Sequence, residues 1–207
     1  MFMEKNNKAT RKRRERRDRT EEILETAARL FSEHGFQGTT FSLIAEAVHL
    51  TEPGVLHYFP SKIHLLQGVL EYHEQKNAER YLGLLQAEKK NVPELFSLLD
   101  DLVAENEKVP GLIQLFTILV SESIRSDHPA HDYFIERYRR VREGYVNEFF
   151  GAIKDTIRPD VDLNELTILI MAVMDGLQIQ WLLDPKKVDM VATFKLFSKV
   201  IVGYLEK

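Results

Sequence analysis

Two short apolar patterns of helical period, Phe41–Val48 and Thr51–Phe59, are separated by only His49-Leu50, and no other feature restricts this chain as much. Thr40 fits an N-cap, because its side-chain oxygen can accept an orphan backbone N–H at a helix start. Phe41, Ile44, Ala45 and Val48 then recur at i, i+3, i+4 and i+7, one apolar face of a short helix. Thr51 caps a second helix and is placed to accept the Gly54 N–H. Pro53 falls in the first turn, the one place a helix tolerates proline. Val55, Leu56 and Phe59 hold the second helix against the first, which leaves Thr51, Glu52, Pro53, His57 and Tyr58 facing outward. Two helices joined by a three- or four-residue turn is the arrangement that lays its second helix in a DNA major groove.

The remainder also reads as helix. The seven prolines fall at starts of apolar-periodic segments or in the gaps between them. No alternating β-branched run and no Asn-Gly or Asp-Gly hairpin turn is present. The pattern predicts nine helices, over about 18–34, 41–48, 52–58, 62–89, 93–107, 110–125, 130–154, 162–183 and 187–205. The fold class is therefore all-α. Of the last two helices, LNELTILIMAVMDGLQIQWLL is apolar nearly all round and VDMVATFKLFSKVIVGYL carries Val191, Phe194, Phe197, Ile201 and Tyr204 near helical spacing. Either one face of each packs internally, or the other faces meet their copies across a two-fold axis.

Charge is distributed unevenly. Residues 1–62 hold 11 Lys/Arg against 9 Asp/Glu, a net of +2, and residues 63–207 hold 17 against 23, a net of −6. Seven of the basic residues lie within positions 11–19: Arg11, Lys12, Arg13, Arg14, Arg16, Arg17 and Arg19. Such an arm is either a solvated, disordered tail or a phosphate-seeking extension of the first helix. Its place just ahead of the two short helices favours DNA, each neutralised phosphate steepening the salt dependence by ~0.9 log units per log unit of salt. The chain has no Cys, which excludes disulfides and thiolate metal sites. No apolar run is expected to approach the ~20 residues of a membrane span, and the polar, basic N-terminus is no secretory signal. A cytoplasmic protein is the expectation.

Thr40, Thr51, Tyr58 and Lys62 are the candidate phosphate contacts, since hydroxyls and N–H groups at helix starts suit anionic oxygens and a lysine adds a point charge. Simple capping by the threonines and core packing by Tyr58 are the alternatives. Base reading falls to Glu52, Pro53, Val55 and His57: Glu accepts from a cytosine amino group, and Pro or Val touches a thymine methyl. In the helical body, Phe116, Tyr138, Tyr145, Met171, Met174, Gln178 and Trp181 are candidates to line a cavity with sparse polar anchors, against an ordinary-core alternative. Asp175 stands among Met171, Val173, Met174 and Leu177, where a carboxylate is costly without a partner. It is placed to anchor a cationic ligand, to pair with an Arg, or to join a dimer interface. Asp127-His128 and His131-Asp132 form a local cluster of metal-ligand types, but a site needs three or four converging ligands, and a polar loop explains the pair. There is no glycine-rich phosphate loop, nucleophile elbow or HExxH motif, so an enzyme is not expected, nor is a cofactor.

In order and spacing, Ile23-Leu24, Ala27-Ala28, Leu30-Phe31, Gly35-Phe36, Thr39-Thr40, Ile44-Ala45, Gly54, Leu56, Phe59, Ser61-Lys62 and Leu65-Leu66 resemble the DNA-binding head of the TetR (tetracycline repressor) family over about fifty residues. The run from Asp175 to Pro185 also looks like the C-terminal half of many members. The resemblance implies a nine-helix fold with a three-helix helix-turn-helix head (18–62) behind the basic arm (1–17), and a larger ligand-binding and dimerisation body (63–207) whose last two helices form the dimer interface. It adds Arg17, Thr39 and Gly54 to the DNA-facing set, Gly54 as a small residue allowing close approach. The implied protein is a homodimeric repressor on a palindromic operator in double-stranded DNA, released by a largely apolar small-molecule effector. A helical ligand-binding or adaptor protein without DNA recognition is the alternative. The family usually has Ala-Gly-Val where this chain has Val48-His49-Leu50, and Tyr where it has His57, and Pro53 is unusual. The bases read are therefore this chain's own.

Overall fold

The structure is a computed structural model that describes the backbone of residues 2–87 and 90–206 and the side chains of 18–85 and 90–206. The arm expected over residues 1–17, with Arg17 as a DNA contact, lies outside the described side chains. Nine α-helices stand among the described residues: α1 Phe2–Gly38, α2 Phe41–Ala47, α3 Glu52–Tyr58, α4 Lys62–Ala87, α5 Val92–Glu107, α6 Pro110–Glu122, α7 His131–Gly144, α8 Leu163–Leu183 and α9 Met190–Leu205. No strand occurs among them. The chain divides into two compact units, residues 1–75 and 76–207.

In the first unit, Gly35 interrupts α1 with φ of 70°, in the left-handed region where a Cβ is strained. This matches the helix end expected near residue 34. Past the break, buried Thr39 donates its hydroxyl to the carbonyls of Leu30 at 3.0 Å and Gly35 at 2.9 Å, tying the chain back onto α1. Ile23, Ala27 and Phe31 of α1 close a core with Ile44, Val48, Val55 and Leu65, all 0–1% exposed. The expected head ended at residue 62, but the first turns of α4 belong to the same core. Leu65, Leu66, Val69 and Leu70 are buried, and Tyr72 Oη donates to Glu25 at 2.7 Å. Gly68 permits this approach, because a Cβ there would lie 2.9 Å from Phe59 Cε1 and 3.1 Å from Leu24 Cδ2.

In the second unit, α5 lies along α9, while α8 packs against α6, α7 and α9. A capping box starts α5: Asn91 Oδ1 accepts the Glu94 N–H and Glu94 Oε2 accepts the Asn91 N–H, both at 2.9 Å. Asp162 and Asp189 cap α8 and α9 by the side-chain oxygen alone, Asp162 Oδ1 accepting the Asn164 N–H and Asp189 Oδ1 the Ala192 N–H, both at 2.8 Å. The seventh helix, expected as one segment over 130–154, is α only to Gly144. It continues as a π turn, Tyr145–Phe149, and a 3-10 turn, Phe150–Ala152. The widened turn lets the adjacent Phe149 and Phe150 both enter the core, with ring centroids 6.0 and 6.4 Å from Phe96. A pattern search at 3.6 residues per turn has no means of registering such an insertion.

One expectation is corrected. α8 has 21 residues and a mean hydropathy of 1.7 in its most apolar window, so by length and composition it could span a membrane. Its apolarity has another use, since Leu166, Ile170, Leu177 and Trp181 are buried within the second unit. The rest of its apolar surface is exposed at Ile168, Leu169, Ile179 and Leu183, and α9 exposes Leu196, Val200 and Tyr204.

Candidate functional site

The capping predicted for the two short helices is present. Thr40 Oγ1 accepts the Leu43 N–H at 3.1 Å and Thr51 Oγ1 accepts the Gly54 N–H at 3.2 Å. Between them the turn closes α2 with Leu50 N–H donating to the Ala45 carbonyl at 2.8 Å. His49 takes φ of 54°, the left-handed conformation that glycine usually supplies after a helix end. Val55 and Phe59 face inward, and the opposite face of α3 exposes Thr51, Glu52, Pro53 and His57, with Tyr58 half-buried and edge-on to His57 at 5.8 Å. Val55 is 0% exposed. It is a packing residue, and its assignment as a base reader is withdrawn.

Three further side chains differ from their simplest reading. Thr39 is 0% exposed, with its hydroxyl committed to two carbonyls, so it positions the start of α2 and is withdrawn as a direct DNA contact. Lys62 Nζ donates to the Thr39 carbonyl at 3.0 Å and lies 4.5 Å over the Phe36 ring, which fixes its charge beside the N-terminus of α2. Glu52 accepts a short hydrogen bond from the Ser42 hydroxyl of α2, which orients its carboxylate. Ser42 was not among the sequence candidates. Its only signal was an exposed place two residues after a cap. Arg19 Nη1 reaches the Val48 carbonyl at 3.5 Å and Glu22 at 2.7 Å, bringing a cation to the C-terminal end of α2. Gly54 has a local cause as well: a Cβ there would stand 3.3 Å from Thr51 Oγ1 and press on the cap.

The second unit holds an interior polar group. Tyr138 Oη of α7 donates to Asp175 Oδ2 of α8 at 2.7 Å. Burial pushes the Asp175 carboxyl above the ordinary carboxylate range, opposed by that hydrogen bond and by the Arg137 guanidinium. Burial, then the Asp175 charge, drives the Tyr138 hydroxyl far upward, and burial does the same to Tyr145. The Arg137 guanidinium caps the Phe116 ring at 4.6 Å. Met171 and Met174 are half-buried, and Trp181 belongs to the packed core. Gln178 is 4% exposed, and its Oε1 has no hydrogen-bond partner among the described residues, nor does the buried hydroxyl of Tyr81. Tyr81 was not among the sequence candidates, since nothing local marks its hydroxyl as buried. At the loop before α7, His131 Nδ1 donates to the Ser123 carbonyl at 2.8 Å and His128 Nδ1 accepts the Ala130 N–H at 3.2 Å, so both rings serve the turn.

Residues 23–69 match the family described as bacterial regulatory proteins, tetR family, and residues 93–200 match the C-terminal domain described as a BetI-type transcriptional repressor. The chain is 26% identical over 148 residues to the HTH-type transcriptional repressor KstR2 of Mycolicibacterium smegmatis, covering 70% of this chain and 71% of that protein. It is 26% identical over 156 residues to the HTH-type transcriptional repressor AcnR of Corynebacterium efficiens, covering 75% and 78%. Its fold is similar to that of a TetR transcription regulator from Haloarcula marismortui, with TM-score 0.76, 20% identity, and 92% and 99% coverage. It is also similar to a transcriptional regulator from Saccharomonospora viridis solved with choline, with TM-score 0.68, 20% identity, and 91% and 98% coverage.

Proposed function

Since the chain belongs to the TetR family of bacterial regulatory proteins, we propose that it is a homodimeric, cytoplasmic transcriptional repressor without catalytic activity, which binds a palindromic operator and leaves it when a small molecule enters the second unit. The observation that carries the reading is α3 itself. It is capped at Thr51, anchored through Val55 and Phe59, and exposes Thr51, Glu52, Pro53 and His57 on its free face. Thr40, Tyr58 and Lys62 hold phosphates at the flanks, and Glu52 and His57 read bases. Gly54 keeps α3 thin at its first turn, and Arg17 extends the contact along the duplex.

The exposed apolar side chains of α8 and α9 supply the two-fold interface, a self-complementary patch that leaves no copy unpaired. The effector site is the interior group of Phe116, Tyr138, Tyr145, Met171, Met174, Asp175, Gln178 and Trp181. An effector acts only by binding the released state more tightly than the DNA-bound state. Selection from a random duplex pool by the purified protein tests the DNA claim: an enriched inverted repeat is expected, and no enrichment at low ionic strength contradicts it.

A further inference from the structure

We infer that Ser42 is a positioning residue for base reading: its hydroxyl holds one carboxylate oxygen of Glu52, so that the other addresses the amino group of a cytosine in each half-site. The inference rests on the DNA reading above. Ser42 is the second residue of α2 and Glu52 the first of α3, and both are exposed. Beneath them the two helices are fixed to each other by buried Ile44, Val48 and Val55 and by the bond from Leu50 N–H to the Ala45 carbonyl. The Ser42–Glu52 bond therefore joins two surface side chains on a rigid base.

Glu52 needs such a tether. Its side chain is long, and ordering it only on binding would cost affinity. The phosphates repel a carboxylate, which favours a free one turning out of the groove. Among the described residues Glu52 forms no salt bridge, and the Ser42 hydroxyl is its hydrogen-bond partner. A hydroxyl bonded to a carboxylate is one of the stronger neutral-to-charged contacts. The bond also sets what the pair offers to a base. Ser42 gives its single proton to Glu52 Oε2, and a carboxylate only accepts, so Glu52 Oε1 and the Ser42 oxygen present acceptors alone. Guanine and thymine show acceptors in the major groove and are repelled. Adenine sets its amino donor beside the N7 acceptor, whereas the cytosine amino group has a C–H neighbour. Cytosine is the base that matches.

Gel shifts with the full chain on the duplex recovered from the random pool, and on its single-base variants, test the inference. Cytosine is expected to be preferred at one position of each half-site, and Glu52→Ala to abolish that preference. Ser42→Ala is expected to cut it by about fivefold per half-site, the worth of one net hydrogen bond, and to leave the other positions unchanged. Ser42→Thr keeps the hydroxyl and is expected to keep the preference. Added to Glu52→Ala, Ser42→Ala is expected to change nothing further. Glu52→Gln is expected to move the preference toward adenine, whose N6 and N7 an amide matches. Even weakening at every position by Ser42→Ala, additive losses in the double variant, or no cytosine preference that depends on Glu52 overturns the inference and leaves the DNA reading standing. A pool that yields no enriched duplex removes the DNA reading itself, and the inference with it.

Discussion

The ammonium of Lys62 donates to the carbonyl of Thr39 at 3.0 Å, and the hydroxyl of that same threonine returns to Leu30 and Gly35. One residue thereby joins the start of α4 to the end of α1 at the point where α2 begins. The lysine charge is held beside the α2 N-terminus, where Thr40 and the free N–H groups of the first turn suit a phosphate. Lys62→Ala is expected to weaken binding to all operator variants about equally and to lower the salt slope by about 1. Gel shifts over an operator-variant series at several salt concentrations check this, and a loss confined to one base position would contradict it.

His57 stands exposed on α3, away from the packed face. His57→Ala is expected to relax preference at one base position in each half-site, removing about 1–3 kcal/mol of discrimination there. Melting temperature should stay at the wild-type value. The same gel-shift series separates the two roles, and matching profiles for the Lys62 and His57 variants would refute the division of labour.

His49 at φ of 54° occupies the left-handed position of the turn between α2 and α3. Holding a side chain there costs about 1–2 kcal/mol, and the added freedom of an unfolded glycine returns about 0.5–1 kcal/mol of that. His49→Gly is therefore expected to stabilise the head by about 0.5–1 kcal/mol in urea unfolding. Gly68→Ala is expected to act oppositely and more strongly, by about 1–3 kcal/mol, because its methyl would meet the Phe59 ring.

How far these features could be read in advance depended on sequence distance. Thr40 and Thr51 each bond a backbone N–H three residues on, so a local pattern was sufficient to place both caps. Gly35 marked the end of the first helix for a comparable reason, because its conformation needs no partner. The partner of Asp175 is 37 residues away on another helix, and that of Lys62 is 23 residues back and is a backbone carbonyl. No spacing rule announces such a pair. Val55 was placed on both faces of α3 from sequence, because seven residues span two turns and leave the apolar stripe ambiguous. Burial assigns it to the core. The π turn after Gly144 escaped because it breaks the very period used to find helices.

Asp175 gives a pH prediction with a definite sign. Its folded-state carboxyl is raised by burial. The folded chain therefore holds that proton more tightly than the unfolded chain, and the associated stability is present at low pH and lost as pH climbs through the raised value. Asp100, hydrogen-bonded by Ser198 at 2.7 Å, is also raised by burial and acts in the same direction. Asp175→Asn is expected to remove its share of this loss, so that the variant gains on wild type as pH rises from about 4 to about 7. Urea midpoints across that range check it, and a variant that loses ground with rising pH would contradict it.

Leu183 of α8 and Val200 of α9 are 81% and 62% exposed. Placing a charge there removes nothing from the core, yet it should repel a second copy. Leu183→Asp and Val200→Asp are expected to give single chains by sedimentation, with helical content retained and operator binding reduced. An unchanged dimer would move the interface elsewhere.

Hydroxyl-radical footprinting of the selected duplex tests most directly that α3 is presented twice to successive major grooves. Two protected patches, mirrored on the two strands and about 34 Å apart, are the predicted result. A single patch, or uniform protection with no two-fold symmetry, would contradict it.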